Sequence, residues 1–538
     1  MTNPVLTLDG ASFVLPDGRT LFSDLDARFD LQPTGLVGRN GVGKSVLARM
    51  LAGLIEPSQG RCQRVGRVHY LPQQLSAANV AELAGVKLLL DALQRIEAGS
   101  VAVEDFDVVG EQWDMRQRLT QALQGIGLGH LQPETATPSL SGGQAMRVAL
   151  LGAWLSGADW LILDEPSNHL DAISRQALIE QLQSWTRGLL VVSHDRALLD
   201  SLPRIVELSP TGLQSYGGSY SHYVQCKAAE QRSAQANFQH QREALRQSQH
   251  AMREQRERQQ RRQAQGQRQG RDANQAKILL GGQKQRSEQS AGRLRQRHDE
   301  ESARLTAQLR EAVRRIDDQQ AIHLHVPTLT MPTPRWVAEL VGVELAHVPA
   351  ATRRVDLALR GGQRLALSGP NGCGKSSLLR TLAGRQAPLA GHCRVSVACA
   401  WLDQSLSLLA PDTSVLEQLR GVNSSETLGV LRMRLAQLGL DSSRIQLPAR
   451  QLSGGERVKA ALALALYADS PAQLLLLDEP DNHLDLPSLQ SLEALLRAFR
   501  GTLVLVSHDP RFKAALELEG EWVATPMGWQ WQGAQADE

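Results

Sequence analysis

The sequence predicts two α/β domains joined by an antiparallel α-helical hairpin. Three observations carry this. One set of sequence landmarks occurs twice in the same order. Each copy alternates short apolar, strand-like runs with helix-like stretches. A Gln- and Arg-rich segment without proline separates the copies. At 538 residues the chain is too long for one hydrophobic core, and its 42% apolar content is ordinary for a globular protein.

The repeat is read from matched strings. GRNGVGKS at 38–45 matches GPNGCGKS at 369–376. Gln73 and Gln404 follow, then LSGGQ at 140–144 and LSGGE at 452–456. LILDEPSNHLD at 161–171 matches LLLDEPDNHLD at 475–485, and SHD occurs at 193–195 and 507–509. Lys44 and Lys375 stand 331 residues apart, as do Gln73 and Gln404, whereas Ser141 and Ser453 stand 312 apart. The first copy therefore carries 19 more residues between its glutamine and its LSGG, around 98–115. Glu165 to Glu479 and His194 to His508 are both 314.

The segment 227–320 holds 21 Lys and Arg against 12 Asp and Glu, a net of +9 in a chain whose total is +2. Phe238, Leu245 and Met252 recur every seven residues, and Leu305, Leu309, Val313 and Ile316 every three or four, which are the stripes of two amphipathic helices. Gly266, Gly270, Gly281 and Gly282 mark the place for a chain reversal. Arms of ~40 residues would reach ~60 Å. The expected domains are 1–225, 226–325 and 326–538.

Several function classes are excluded. No apolar run approaches the ~18 residues needed to span a bilayer, so no membrane domain is expected. The first ten residues have no basic stretch followed by an apolar one, as a secretory signal requires. The five cysteines, Cys62, Cys226, Cys373, Cys393 and Cys399, form no CxxC pair, which fits a reducing, cytoplasmic setting.

The chemistry is concentrated in the repeated strings. A GxxxxGK[ST] loop between a strand and a helix needs glycines so that its backbone can wrap phosphate oxygens; here these are Gly38, Gly41 and Gly43, and Gly369, Gly372 and Gly374, with Asn40 and Asn371 beside them. Its N–H groups and the following helix present positive charge to a polyphosphate. Lys44 and Lys375 reach for the β- and γ-phosphates, and Ser45 and Ser376 for Mg²⁺. Asp164 and Asp478 end buried apolar strands where a metal would sit. Glu165 and Glu479 are placed to polarise an attacking water. Ser141 and Ser453 read as caps of the helices after them, and a helix N-terminus after Ser-Gly-Gly is also an anion site. His194 and His508 follow apolar strands, and their recurrence in both SHD strings favours a γ-phosphate contact over a purely structural role.

Phosphate loop, glutamine, LSGG, Asp-Glu pair and SHD, in this order, resemble the ATP-binding-cassette superfamily over all of the chain except the middle segment. The resemblance implies ATP and Mg²⁺ as cofactors and a head-to-tail sandwich of the two copies within one monomer. One site would use Lys44, Ser45, Gln73, Asp164, Glu165 and His194 with Ser453 and Gly455. The other would use Lys375, Ser376, Gln404, Asp478, Glu479 and His508 with Ser141 and Gly143. In that family Gln73 and Gln404 also join the metal.

NHLD in both copies, the charged linker and YGGSYSHY at 216–223 resemble the narrower ABC-F family. That resemblance implies a ribosome-associated translation factor, in some members protecting ribosomes from antibiotics, whose hairpin enters the tRNA exit region and touches ribosomal RNA and tRNA. Arginine suits such a partner because it pairs with phosphate and stacks on bases. A solvated spacer is the plainer reading of a mixed-charge helix pair. Ile278, Leu279 and Leu280 read either as a staple closing the turn or as the part that approaches RNA.

The sequence departs from the family pattern at four places. The usual threonine of EPTNHLD is Ser167 and Asp481. The adenine-stacking aromatic is Leu15 and His347. The extra residues around 98–115 are few for the arm that family members carry there. No long basic tail follows the second copy. A transporter ATPase subunit and a DNA-repair ATPase are the alternatives. The +9 segment and NHLD oppose the first, and the absence of zinc modules or very long coiled coils opposes the second.

Overall fold

The computed structural model describes residues 4–168, 170–272, 296, 300, 303–310, 336–482 and 484–533. Two compact units emerge, 1–223 with 322–538, and 224–321.

In the first unit the repeat is visible strand for strand. The first copy contains β1 (Val5–Val14), β2 (Thr20–Phe29), β3 (Thr34–Val37), α1 (Lys44–Leu51), β4 (Gln59–Val65) and β5 (Val68–Leu71). Helices α2 (Val80–Leu83), α3 (Lys87–Glu97), α4 (Val103–Val109), α5 (Met115–Gly125) and α6 (Gly142–Leu155) follow. The copy closes with β6 (Trp160–Asp164), α7 (Ala172–Gln183), β7 (Gly188–Val192), α8 (Arg196–Asp200), β8 (Arg204–Ser209) and β9 (Gly212–Gly217). An antiparallel sheet of order β2-β1-β4 stands beside a six-stranded sheet of order β5-β6-β7-β3-β8-β9, parallel except at β9. One buried cluster joins Leu6, Leu8 and Phe22 of the small sheet, Leu47 and Leu51 of α1, and Trp160 and Ile162 of the large one.

The second copy repeats this with β10 (Trp336–Glu344), α10 (Ala350–Arg353), β11 (Arg354–Arg360), β12 (Arg364–Ser368), α11 (Lys375–Leu382), β13 (Ala390–Val395) and β14 (Cys399–Leu402). Then come α12 (Val415–Val422), α13 (Leu428–Gln437), α14 (Gly454–Leu466), β15 (Leu474–Asp478), α15 (Leu486–Ala498), β16 (Thr502–Val506), α16 (Pro510–Ala515), β17 (Gly520–Thr525) and β18 (Gly528–Gly533). Its sheets run β11-β10-β13 and β14-β15-β16-β12-β17-β18.

The apolar runs follow from this layering. A parallel strand covered on both faces needs apolar side chains on both. In β15, Leu474 and Leu476 join the core shared with β10 and α11, while Leu475 and Leu477 join the core shared with α14 and α15. In the first copy, Trp160 of β6 is fully buried. A Cβ at Gly188 would lie 2.5 Å from its ring. Gly188→Ala is therefore expected to destabilise the chain by roughly 1–3 kcal/mol, an overpacking cost, read as a lower denaturant midpoint.

The extra residues of the first copy form α4 and its flanking turns, folded back on α3. Asp105 accepts from Arg95 at 2.6 Å and from Ser100 Oγ at 2.8 Å, which pins the excursion to the domain.

The second unit holds most of α9 (Tyr220–Asp272), a 53-residue helix. Ala234, Phe238, Gln241, Leu245, Ser248 and Met252 are half-buried along one stripe, spaced by threes and fours, while their neighbours are mostly exposed. Leu305, in the helical stretch 303–310, is buried. One expectation is corrected. Gly266 and Gly270 do not turn the chain but lie inside α9. Each glycine costs a helix only ~1 kcal/mol, and the surrounding Gln and Arg are good helix formers. Gly281, Gly282, the cluster 278–280, Val313 and Ile316 lie outside the described residues.

Candidate active sites

Each phosphate loop links a parallel strand to a buried helix, β3 to α1 and β12 to α11. Gly38 (φ 153°) approaches β8 so closely that a Cβ would meet the Leu208 carbonyl at 2.3 Å. Gly43 (φ 106°) and Gly374 (φ 107°) take left-handed conformations at the helix N-caps, which other residues adopt only with strain. Lys44 Nζ donates to the carbonyls of Gly38 at 2.8 Å and Arg39 at 3.1 Å; Lys375 Nζ does the same with Gly369 and Pro370, also at 2.8 and 3.1 Å. Both ammonium groups thus curl over their own loop, where a polyphosphate would lie. Burial lowers the Lys44 pKa from its ordinary value.

Behind each loop stands the strand-end aspartate. Asp164 accepts from Ser45 Oγ at 3.1 Å and from Tyr70 OH at 3.2 Å, and burial raises its pKa. Asp478 is pushed up to about 6 by burial, opposed by a hydrogen bond from Ser376. Trp401 replaces the tyrosine in this copy, and Asp478 Oδ1 is buried without a hydrogen-bond partner. A buried, unpaired carboxylate oxygen beside a serine hydroxyl fits a small hard cation, which takes oxygen ligands.

The next residue leaves the strand abruptly. Glu165 and Glu479 both have φ 51°, rare for a side chain of this size, and their N–H groups donate to the carbonyls of Val192 and Val506 at 2.8 and 2.9 Å. His194 Nε2 lies 3.5 Å from Glu165 Oε1, and His508 Nε2 lies 3.6 Å from Glu479 Oε1. Burial lowers these histidines to about 3 and about 4, so both are neutral near pH 7. Burial also raises the Glu165 carboxyl well above the usual carboxylate range, partly opposed by Lys44.

The two glutamates are held differently. Glu479 Oε2 accepts from Gln404 Nε2 at 2.9 Å and from Asn482 Nδ2 at 2.5 Å. Glu165 Oε2 accepts from the His194 N–H at 3.4 Å. Gln73 is exposed at the end of β5, and Asn168 Nδ2 is buried without a partner.

The LSGG serines cap helices, as the sequence suggested. Ser141 Oγ accepts from Gln144 N at 3.2 Å and Ser453 Oγ from Glu456 N at 3.3 Å, each closing a reciprocal capping box. Gly143 and Gly455 leave room for Ser174 and Ser488 of the same copy, whose hydroxyls would stand 2.2 and 2.4 Å from an added Cβ. Lys459, on the helix that Ser453 caps, lies within electrostatic reach of Arg39 of the first phosphate loop.

The copies meet reciprocally. Asn40 N in the first phosphate loop donates to Asp485 Oδ2 at 2.8 Å, and Asn371 N in the second donates to Asp171 Oδ2 at 3.4 Å. Arg175 Nη1 donates to the His508 carbonyl at 2.9 Å while its Nε lies 2.9 Å from Asp195 Oδ2. Arg196 pairs with Glu493 at 2.6 Å, and Arg511 pairs with Asp200 and donates to Ser221 Oγ at 3.4 Å. Asp171 and Asp485 were read from the sequence only as the ends of the NHLD strings, without a site role, and Arg175, Arg196 and Arg511 were not singled out. The aspartates had a usable signal, since they recur at the same 314-residue spacing as the glutamates. Of the residues at the adenine-stacking position, Leu15 is half-buried in a turn and His347 is exposed with φ 59°.

Comparison with known proteins agrees with this geometry. The ABC transporter family model matches residues 29–168 and 352–482. The chain is 32% identical over 512 residues to the tylosin resistance ATP-binding protein TlrC of Streptomyces fradiae, covering 90% of each chain. It is 31% identical over 523 residues to the energy-dependent translational throttle protein EttA of Mycobacterium tuberculosis, covering 89% of this chain and 84% of that one. The solved complex of the archaeal ribosomal stalk protein aP1 with the recycling factor aABCE1 superposes with a TM-score of 0.59 at 19% identity, over 98% of this chain and 90% of that one, a likeness of fold. Among the described residues no helix is long and apolar enough to cross a membrane. Two phosphate loops, each touched by the acidic turn of the other copy, and these relatives lead to one conclusion: the chain belongs to the ABC-F family of ATP-binding-cassette ATPases.

Proposed function

We propose that this ATPase is a cytoplasmic translation factor that binds the ribosome in the tRNA exit region, and that its arginine-rich hairpin acts there on ribosomal RNA and tRNA, in the manner of factors that protect ribosomes from antibiotics. The observation that carries this reading is α9. It begins with Tyr220 and Tyr223 buried in the ATPase unit and runs on as a helix whose exposed positions include Arg232, Arg242, Arg246, Arg253, Arg258 and Arg261. Arginines that neutralise several phosphates bind RNA with an affinity that falls steeply with salt.

In this reading the loop N–H groups, Lys44 and Lys375 cradle the triphosphate. Ser45, Asp164 and Gln73, and Ser376, Asp478 and Gln404, hold Mg²⁺, whose charge offsets that of the phosphate oxygens. Ser453 and Gly455, or Ser141 and Gly143, complete each site from the opposite copy. Glu165 and Glu479 take the proton of a water that attacks the γ-phosphorus as its bond to the β-phosphate oxygen breaks, releasing ADP and phosphate. Neutral His194 and His508 orient the γ-phosphate. Two names support the reading, the tylosin resistance protein and the translational throttle protein.

The variant with Glu165→Gln and Glu479→Gln is expected to stay closed on ATP, to co-sediment with ribosomes in ATP and to be displaced by high salt. Recovery with membranes, or no ribosome binding in ATP, rejects the proposal.

A further inference from the structure

The turn after each glutamate runs Glu-Pro-X-Asn-His-Leu-Asp, and its two ends touch different sites. At the far end, Asp485 takes the N–H of Asn40 in the first phosphate loop. At the near end, the Asn482 N–H donates to the Glu479 carbonyl at 3.2 Å, and its amide Nδ2 donates to Glu479 Oε2 at 2.5 Å. The backbone bend that this requires is the left-handed φ of Glu479. The first copy has the same bend and the same backbone bond, from Asn168 N to the Glu165 carbonyl at 3.3 Å. There, however, the Asn168 amide nitrogen is buried and unpaired.

We propose that Asn168 and Asn482 are positioning residues for hydrolysis, whose side-chain amides fix the carboxylates of Glu165 and Glu479 toward the attacking water. The proposal rests on the reading of those glutamates as proton acceptors. Three physical points support it. A carboxylate on a flexible stem has several rotamers, and two amide donors on one oxygen, from Gln404 and Asn482, leave the other oxygen of Glu479 beside His508. A buried amide donor is rarely left unpaired, and the glutamate carboxylate is the partner that the matching amide takes in the second copy. The turn is anchored at both ends, by its asparagine on the glutamate of one site and by its aspartate on the opposite phosphate loop, which limits where the amide can lie. The side-chain bond is made in the second copy and absent in the first.

The test uses the full chain with both asparagines changed together, so that it does not depend on how the sites share turnover. Asn168→Ala with Asn482→Ala is expected to lower kcat about 10–100-fold with KM for ATP unchanged, the size of effect that misplacing a reacting group produces. Asn168→Asp with Asn482→Asp keeps the volume but removes the donor, and is expected to lose at least as much. In the Glu165→Gln, Glu479→Gln background the alanine pair is expected to change the residual rate no further, because nothing remains to be positioned. Retained kcat in either asparagine pair, or the same fold-loss in the glutamine background, overturns the positioning role while leaving the glutamates' role intact. Full turnover in the double glutamine variant itself removes the reading underneath, and the proposal with it.

Discussion

Changing Glu165 and Glu479 together to glutamine is expected to slow steady-state ATP hydrolysis by roughly 10²–10⁴-fold, the range that a positioned general base contributes. Glutamine matches the carboxylate in shape, and both positions already bear a side chain at φ 51°, so no new backbone strain enters. The phosphate loops, Lys44 and Lys375 are untouched. Removing the Glu165 carboxylate also relieves a group that burial disfavours in its charged form. ATP affinity is therefore expected to hold while turnover collapses. Phosphate release and a fluorescent-nucleotide titration on the same preparation measure the two quantities. A fall of less than tenfold in turnover, or a parallel loss of affinity, would show that these carboxylates do not accept the proton.

The second large effect concerns stability. Asp481 stands where the first copy has Ser167. Its Oδ2 accepts from Ser507 Oγ at 2.8 Å, its Oδ1 is buried and unpaired, and burial raises its pKa from 3.8 to about 7. The folded chain thus binds this proton more tightly than the unfolded one. Below about pH 4 both states are protonated and the residue costs nothing. From there to about pH 7 the unfolded state ionises first, and stability falls with rising pH by about 1.4 kcal/mol per unit. Above pH 7 the penalty is complete, with an upper bound of about 4 kcal/mol. Asp481→Ser, which copies the first repeat, is expected to unfold at a higher temperature than the parent at pH 8 and to lose most of that advantage at pH 5. Thermal melts at the two pH values decide it. An Asp481→Ser chain less stable than the parent at pH 8 would mean that the carboxylate is favourably held there.

The parts of the fold legible in the sequence are those dictated by local chemistry. The strand that a phosphate loop calls for ahead of it is β3 in the first copy and β12 in the second. The phosphate loops were legible because close approach to a polyphosphate demands glycine at fixed offsets, and Asp164 and Asp478 because they end apolar runs buried on both faces. Ser141 and Ser453 as caps follow from Ser-Gly-Gly-Gln and Ser-Gly-Gly-Glu alone.

The arginine contacts between copies were not legible. Arg175 reaches the His508 carbonyl across 333 residues, and its counterpart in the second copy is Leu489. Arg196 and Arg511 likewise face Pro510 and Ala197 when the copies are aligned. An interaction made once, by residues the repeat does not match, leaves no periodic trace. Gly266 and Gly270 misled for the opposite reason: their helix cost is real but too small to stop a long run of favourable neighbours.

The first turn of α9 has a mechanical consequence. Ser221 N donates to Asp200 Oδ1 at 2.9 Å, Asp200 is gripped by Arg511 of the other copy, and the Arg511 guanidinium lies 5.9 Å from the centre of the Tyr220 ring. Arg196 and Glu493 stitch the same two copies nearby with both side chains largely out of water. The root of the rod is thus riveted to both halves of the engine rather than to one. A rotation of one copy against the other therefore loads two ion pairs at once, Arg511 with Asp200 and Arg196 with Glu493, and the first of these sits beside Tyr220 in the opening turn of α9.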